Sequence, residues 1–458
     1  MKLNPNWPLL CTGTLQNPKF TPAEFCRVLS TAIKTKLNDS DSEAMINFAC
    51  RRPGDNYHFI TTRAPSLLRH NSPLLDRFGL SVDGKLVTVH GRELPPPTIM
   101  YGGDNRVQPK FGAWNMVQKK FATPPHDKVH WAYMAMLHQD RAPGNDVEHV
   151  VNSFRQHVAN ACGIPMGNPI SGRCHPDASE SHIRDAFKSQ LGVPSPKIVL
   201  VFLPDKDSDR YARLKRVADV ELGIHTVCMN WTKAVKCQPP YFGNVALKLN
   251  LKLGGINHRL DDRVGLIQSG KTMLVGYDVT HPTGAPEPKK KSGGKKGSDE
   301  PESEMPSIVG LVASIDKDVN QWPSAAWVHA SRREVCQDDQ LMDAFGSRLD
   351  LWKQRNRAFP ENIIIYRDGV SESQFQQVLE SELPKIRAAC EKRYPSNKRP
   401  SLAIIVSVKR HHTRFYPAEK DKASKSGNIR PGTVVDRGVT QARYWDFYLA
   451  AHDCLQGK

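Results

Sequence analysis

Runs of apolar residues alternate with amphipathic stretches through the middle of the chain. "KIVLVFLP" (197–204) and "HTVCMNW" (225–231) have the continuous apolar character of strands that are buried on both faces. Between them, "SDRYARLKRVADVELG" (208–223) has helical spacing and ends at a glycine. Repeated alternation of strand and helix predicts a parallel sheet that is covered by helices.

A second pattern begins near residue 263. "KTMLVGYDVTHP" (271–282), "SIVGLVASID" (307–316) and "AAWVHASRREV" (325–335) are three successive predicted strands, which indicates an antiparallel meander. A helix, the strand "IIIYRD" (363–368), another helix and the strand "LAIIVSVKR" (402–410) follow. This order predicts a mixed sheet, distinct from the first one.

Residues 285–305 interrupt the meander with a block that is rich in proline, glycine, serine and charge. Such a composition cannot bury a core, so we predict a disordered insertion. Its lysines leave open the alternative that it helps to hold nucleic acid.

The composition favours a polyanionic partner. The chain of 458 residues carries 64 Lys and Arg against 47 Asp and Glu, a net charge of +17, and such a surplus favours binding to phosphates. An ordinary basic enzyme remains the alternative. No apolar run approaches the roughly 18 residues that span a bilayer, so no membrane partner is expected. Ten cysteines without a CxxC pair fit a reducing compartment, the cytoplasm or the nucleus.

Two acids stand where predicted strands end. Asp368 closes an apolar strand, directly before Gly369, and Asp278 lies near the end of the first strand of the meander. One acid on that first strand and a second on a later parallel strand is the ribonuclease H-like arrangement. Because neighbouring strands lie about 5 Å apart, the two carboxylates can share one Mg²⁺ ion. The alternative is that each aspartate caps its own loop.

Several longer motifs carry a family resemblance. "GYDVTHP", "YRDGVSESQFQQVL" and "VKRHHTRFYP" resemble, in this order, the PIWI domain of eukaryotic, fungal-type Argonaute proteins. "GRELPPPTIMYGG" and "FGAWNMVQKKF" are similar to the second linker and the entry to the MID domain of that family. The resemblance implies an α/β chain with a Rossmann-like MID domain and an incomplete ribonuclease H-like PIWI domain. The implied bounds are 1–110 for an N-terminal segment with linker 2, 111–262 for MID and 263–458 for PIWI.

The resemblance also implies an RNA-cleaving site. Asp278 and Asp368 match the two aspartates that hold Mg²⁺, with Mn²⁺ as an alternative, and Glu334 in "SRREVCQDD" matches a third acid that a loop brings in. By itself, Glu334 is indistinguishable from a surface charge.

A guide-binding pocket is implied as well. Tyr211 and Lys215 lie four residues apart on a predicted helix, hence about 6 Å apart on one face, where a ring can stack on a base and an ammonium can meet its phosphate. A solvated helix face is the alternative. The resemblance assigns the guide 5′ end to Tyr211, Lys215, Lys248 and Lys252, and the guide backbone to Lys409, Arg410, Arg414 and His452.

One position departs from the family pattern. Val227 stands where many animal members carry a glutamine that lines the pocket. Since valine cannot donate to phosphate, that contact is either missing or supplied by Thr226. The loop "PDKDSD" (204–209) stands where the family reads the first base, and its preference does not follow from its sequence.

The segment "VALKLNLKLGG" contains a conflict between pattern and resemblance. Its leucines alternate strictly with polar residues, which is typical of a half-buried strand. A strand would separate Lys248 from Lys252 by about 13 Å, whereas a helix would bring them to about 6 Å. Because the family uses both lysines together, we predict a helix.

The resemblance leaves two functions in competition. Family members have N-terminal and PAZ domains before this sequence and more of PIWI after it, including a fourth catalytic ligand, commonly a histidine. We therefore expect this chain to be a guide-RNA-binding protein of RNA silencing that cleaves poorly or not at all. A Mg²⁺-dependent, RNA-guided endoribonuclease is the alternative. The expected partners are a small guide RNA with a 5′ phosphate, a complementary target RNA and proteins of the silencing complex.

Overall fold

The computed structural model describes most of the chain as two compact units. The described residues are 9–11, 17–27, 39–70, 72–140, 144–193, 195–261, 265–282, 305–336, 339–409, 411–442 and 444–453. The first unit takes its residues from 1–87 and 416–428, and the second from 88–415 and 429–453. The predicted insertion, apart from Met305, and the predicted site residue Arg410 lie outside the described residues.

The first unit is mainly helical. Leu9–Cys11 and Phe20–Pro22 form an antiparallel pair. Its helices are Asp39–Ala49, Pro53–His58, Ala64–Leu67 and Pro73–Arg77, with 3₁₀ turns at Ala23–Phe25 and Lys420–Lys422 and a π-helical turn at Phe59–Arg63. Asn56 donates a 2.7 Å hydrogen bond to the Tyr416 hydroxyl, and the Tyr57 ring meets the Tyr416 ring edge-on.

The second unit begins with a four-stranded parallel sheet in the order β2-β1-β3-β4. Its strands are β1 (Trp131–Met136), β2 (Ile170–Cys174), β3 (Ile198–Leu203) and β4 (His225–Asn230). Its longer helices are α1 (Gly144–His157), α2 (Glu180–Leu191), α3 (Ser208–Lys215) and α4 (Pro239–Lys252). Further helical turns are Val158–Cys162, Arg216–Glu221 and Trp231–Ala234.

Helices cover both faces of this sheet. The apolar faces of α1 and α4 pack in one core, and those of α2 and α3 pack in another core on the opposite face. The two inner strands, β1 and β3, are therefore buried at every residue, which explains their continuous apolar sequences. The predicted Rossmann-like domain is confirmed.

The conflict at residues 245–255 is resolved in favour of the helix. Pro239–Lys252 forms α4, in which Phe242, Ala246 and Leu249 are buried at helical spacing. Tertiary burial of this face outweighs the local alternation of leucine and polar residues, since helical stability comes mostly from packing.

The second domain of this unit is built on a five-stranded mixed sheet in the order β7-β6-β5-β8-β9. Its strands are β5 (Thr272–Thr280), β6 (Ser307–Ala313), β7 (Ser324–His329), β8 (Asn362–Asp368) and β9 (Ser401–Ser407). The first three strands form the predicted antiparallel meander, and β8 runs parallel to both β5 and β9. This is the ribonuclease H-like arrangement.

Two helices cover one face of this sheet. The helices α5 (Asp339–Asn356) and α6 (Leu383–Glu391) share an apolar core with the sheet, and α6 is preceded by the helical turns Glu372–Gln374, Phe375–Gln377 and Val378–Glu382. On the other face, Ile308, Val328 and Tyr366 are exposed.

Short elements complete the unit. Ile99–Met100 pairs with Arg259–Leu260 and Arg106–Val107, Thr433–Val435 pairs with Arg92–Glu93 and Tyr448–Leu449, and a short helix spans Gly265–Gln268. Gln321 donates hydrogen bonds to the carbonyls of Leu251 (3.1 Å) and Gly255 (2.8 Å), which ties the loop after β6 to the end of α4. Among the residues that are described, no helix is long and apolar enough to cross a membrane.

Candidate catalytic and guide-binding sites

The strand register brings the two predicted aspartates to the same point of the sheet. Tyr277 and Arg367 form the last paired position between β5 and β8. Asp278 and Asp368 follow them directly on these two neighbouring parallel strands. The prediction that the two acids lie on adjacent strands is confirmed.

Gly369 allows a third carboxylate to reach these acids. Its backbone is left-handed, with φ of +88°, and a Cβ atom added there would lie 2.7 Å from Glu334 Oε1 and 3.4 Å from Asp278 Oδ1. Glu334 and Asp278 therefore approach the same point, directly beyond Asp368. A glycine here provides both the conformation and the space.

Specific contacts hold Glu334 in this position. Arg367 donates from Nη1 to Glu334 Oε1 (2.9 Å) and from Nη2 to the Glu334 carbonyl (2.7 Å). His281 Nε2 lies 2.8 Å from Glu334 Oε2, and its Nδ1 lies 2.9 Å from the Ser307 hydroxyl. The loop after β7 is thus fastened at the acid itself.

Arg367 is itself held in place by Glu382 and Tyr277. Its side chain is fully buried and donates to both oxygens of Glu382, at 3.1 and 3.0 Å. Tyr277 donates a 3.0 Å hydrogen bond to Glu382, and its ring lies 4.3 Å from the guanidinium carbon. Burial alone would lower the pKa of Arg367, but the hydrogen bond to Glu382 raises it above the ordinary value. The guanidinium therefore stays charged in the interior.

The donor set fits a hard divalent cation. Asp278, Asp368 and Glu334 offer carboxylate oxygens, which are the ligands that Mg²⁺ and Mn²⁺ prefer. Lys409 Nζ lies 2.5 Å from Asp368 Oδ2, so a positive charge already stands against one of these acids. Lys409 was predicted to contact the guide backbone, and the structure brings it to the acidic site.

The predicted pocket for the guide 5′ end brings two ammonium groups together. Lys215 Nζ and Lys252 Nζ both donate to the carbonyl oxygen of Thr226, at 3.3 and 2.8 Å. The Tyr211 ring is 47% exposed and its centroid lies 5.7 Å from Lys215 Nζ. Burial, followed by the charge of Lys215, lowers the pKa of Lys252. Asp219 Oδ2 lies 3.2 Å from Lys215 Nζ and offsets one of the two positive charges; the remaining charge favours a further anion at this point.

Strand alternation explains the role of Thr226. Val227 points into the apolar core under α4, whereas the Thr226 side chain, 1% exposed, points towards Lys215. Its hydroxyl accepts from Lys215 Nζ (2.6 Å) and donates to Asp219 (3.1 Å). Thr226 therefore lies beneath Lys215 and positions its ammonium.

The other predicted guide contacts are spread more widely. Lys248 is exposed on α4, one turn before Lys252. Arg414 donates to the carbonyls of His411 (2.7 Å) and Thr413 (2.9 Å), within its own loop. His452 is exposed.

Sequence reasoning missed three residues of the acidic site: His281, Arg367 and Glu382. A signal for Arg367 was present, because an arginine at the end of an apolar strand has to find a buried partner. Glu382 gave none, since it stands in a helical stretch of ordinary polarity.

A Rossmann-like domain is followed by a ribonuclease H-like sheet, and carboxylates of the second domain approach one point of that sheet. This combination defines the fold class. Comparison with known protein families identifies the family to which the chain belongs. The Piwi domain matches residues 198–458, more than half of the chain, the Argonaute linker 2 domain matches residues 55–101, and the Mid domain of argonaute matches residues 108–188. The chain belongs to the Argonaute family.

Relatives and solved structures agree with this assignment. Protein argonaute 5 of Arabidopsis thaliana is 32% identical over 481 residues, which cover 98% of this chain and 45% of that protein. The chain thus spans less than half the length of this curated relative. Kluyveromyces polysporus Argonaute with a guide RNA shares the fold, with a TM-score of 0.75 at 23% identity, covering 98% of this chain and 52% of that one. The N. crassa QDE-2 AGO MID-PIWI domains are 39% identical, with a TM-score of 0.52, and the match covers 63% of this chain and 76% of that one.

Proposed function

We propose that this chain is a guide-RNA-binding protein of RNA silencing, which holds the 5′ phosphate of a small RNA between α3, β4 and α4. The observation that carries this proposal is the pair of ammonium groups, Lys215 and Lys252, on the Thr226 carbonyl beside the exposed ring of Tyr211. In this proposal, residues 111–262 form the domain that holds the 5′ end and residues 263–458 form the PIWI domain.

The pocket residues divide three tasks in this proposal: binding the phosphate, stacking on the first base and positioning a lysine. The phosphate is bound by Lys215, Lys248 and Lys252. The Tyr211 ring stacks on the first base, and such stacking is possible for any of the four bases. Thr226 holds Lys215 in place. The guide backbone runs past Lys409, Arg410, Arg414 and His452, and the guide pairs with a complementary target RNA.

The experiment compares guides that carry a 5′ phosphate with otherwise identical 5′-hydroxyl guides. Wild-type affinity should be higher for the phosphate form and should fall with salt, with a log–log slope of about −0.7 per phosphate neutralised. Lys252→Ala should weaken the phosphate form by roughly 10- to 100-fold, the value of a charge-assisted hydrogen bond. Lys188→Ala, an exposed lysine on α2, is the matched control. Equal binding of both guides by the wild type would refute the pocket.

A second candidate function, RNA-guided endoribonuclease activity, is favoured by the convergence of Asp278 and Glu334 at Gly369, directly after Asp368. Asp278 and Asp368 would hold Mg²⁺ or Mn²⁺, with Glu334 completing the site. Such an ion, when bound, supplies an activated water and stabilises the leaving oxygen. Arg367 and His281 orient Glu334, and Lys409 offers a further positive charge for an RNA phosphate.

A guided cleavage assay tests this second candidate. A target RNA complementary to the guide should be cut in Mg²⁺ by the wild type, and Asp368→Ala should abolish the cut. Asp350→Ala, which removes an exposed acid of the same domain, should cut normally. Cleavage that survives Asp368→Ala would exclude the acidic site as its source.

The cytoplasm is the compartment that we propose, with the nucleus as the alternative. All nine cysteines among the described residues are free thiols, as in proteins of reducing compartments. Other proteins of the silencing complex are proposed as partners.

A further inference from the structure

Arg210 connects two loops at the edge of the Rossmann-like sheet. Its side chain is only 8% exposed and lies in the first turn of α3, immediately before Tyr211. Nε donates to the Pro176 carbonyl (2.8 Å) and Nη2 to Asp177 Oδ1 (2.9 Å), while Nη1 donates to Asp205 Oδ1. One guanidinium therefore binds both the loop after β2 and the loop after β3.

The segment 204–209, which comprises the loop after β3 and the first two residues of α3, is further ordered by its own acids. Asp205 Oδ1 accepts from the Asp207 backbone N–H (3.0 Å), and Asp207 caps α3 by accepting from the Arg210 backbone N–H (2.8 Å). Arg210 is the link between this local network and the rest of the domain. Since β1 separates β2 from β3, the two loops belong to strands about 10 Å apart, a gap that an arginine can span.

The position of this loop gives Arg210 a functional consequence. The Tyr211 ring, on which we place the first base, is half exposed, and the Tyr211 backbone N–H donates to the carbonyl of Asp207 at the end of this loop (3.2 Å). We place a base that stacks on that ring beside the end of this loop. Single-stranded RNA bases are recognised by hydrogen bonds to their edges. The protein groups that make these hydrogen bonds distinguish one base from another only if their positions are fixed.

We propose that Arg210 is the residue that sets discrimination of the guide's first base, as a positioning residue that fixes the segment 204–209. This inference rests on the proposed guide-binding function. Arg210 also neutralises two of the carboxylates that stand near an incoming RNA, those of Asp177 and Asp205. Its hydrogen bond lowers the pKa of Asp177, so both partners remain charged.

The test measures the affinity of four 5′-phosphorylated guides that differ only in the first nucleotide, A, C, G or U, and of their 5′-hydroxyl forms. The wild type should bind the best and worst first nucleotides with affinities about threefold to tenfold apart, the contribution of one ordered hydrogen bond. Arg210→Ala should reduce this spread to less than about twofold. The ratio between phosphate and hydroxyl guides should stay unchanged, because Lys215 and Lys252 are held by Thr226.

Three further variants separate positioning from charge and from misfolding. Arg210→Lys keeps the charge but cannot bind three acceptors in a fork, so it should behave like Arg210→Ala. Asp177→Ala removes one of the three acceptors at an exposed side chain, so it should reduce the spread without unfolding the domain. Arg216→Ala removes the same charge from an exposed position nearby and should leave the spread intact. Hydrogen exchange of residues 204–210 should accelerate in Arg210→Ala and not in Arg216→Ala.

The outcomes distinguish a failure of the role of Arg210 from a failure of the proposed guide-binding function. A wild type that prefers the phosphate but binds all four first nucleotides equally would overturn this inference alone, as would an unchanged spread in Arg210→Ala. A wild type without any preference for the phosphate would overturn the proposed function, and this inference with it.

Discussion

Removal of Glu382 is the most demanding test of the buried network beneath the acidic site. Glu382 is 1% exposed and accepts four hydrogen bonds, two from Arg367, one from the Tyr277 hydroxyl (3.0 Å) and one from the Cys336 backbone N–H (3.1 Å). Glu382→Ala would leave a fully buried guanidinium with Glu334 as its remaining carboxylate partner.

The expected cost is large. Breaking a buried ion pair by removing one partner costs about 3–5 kcal/mol in the free energy of unfolding, because the other charge stays buried. The same domain offers a matched control in the pair Arg393–Asp350, which is also doubly hydrogen-bonded (2.9 and 2.8 Å) but has side chains that are 22% and 55% exposed. Asp350→Ala should cost only about 0–1 kcal/mol.

Urea unfolding measures the loss of unfolding free energy in Glu382→Ala and in Asp350→Ala. Hydrogen exchange in β5 and β8 assigns the unfolding transition to this domain. Glu382→Ala should also accelerate exchange in the loop 330–336, since Cys336 loses its acceptor and Arg367 its anchor. Glu382→Gln, which keeps an acceptor but no charge, should fall between the two variants. Equal losses of unfolding free energy in Glu382→Ala and Asp350→Ala would show that burial does not set the strength of the Arg367–Glu382 and Arg393–Asp350 pairs.

Three further predictions follow from single residues. Gly369→Ala should displace Glu334, and the left-handed conformation should lower the free energy of unfolding by about 1–2 kcal/mol. Hydrogen exchange of the loop that carries Glu334 should become faster. Unchanged exchange would contradict the close approach of Glu334 to Gly369. Because the pKa of Lys252 is lowered, its charge is lost as pH rises, below the ordinary lysine pKa of about 10.4. Guide affinity should therefore already fall on the acidic side of that value, and Lys252→Arg should flatten the profile. Burial raises the pKa of Cys390 to about 11, leaving on the order of 0.1% thiolate at pH 8. Alkylation followed by mass spectrometry should thus modify exposed Cys26 well before Cys390, and comparable rates would argue against that burial.

Local sequence determined the elements of both domains and their order. Apolar runs of strand length, helical spacing and terminal glycines depend only on neighbouring residues, so β3, α3 and β4 were predictable. The order of strands in the meander likewise indicated that Asp278 and Asp368 lie on adjacent strands. At α4 the local pattern was misleading, because packing of Phe242 and Leu249 outweighs the alternation of leucines.

The tertiary structure alone decided which side chains meet. Glu334 contacts Arg367, 33 positions away, and Tyr277 contacts Glu382, 105 positions away; these meetings depend on strand register and loop path, which no local period encodes. The same holds for Arg210, which joins Asp177 to Asp205 across an intervening strand. Sequence patterns specify which face of an element is buried, whereas the partner of a buried charge is specified only when the elements are packed together.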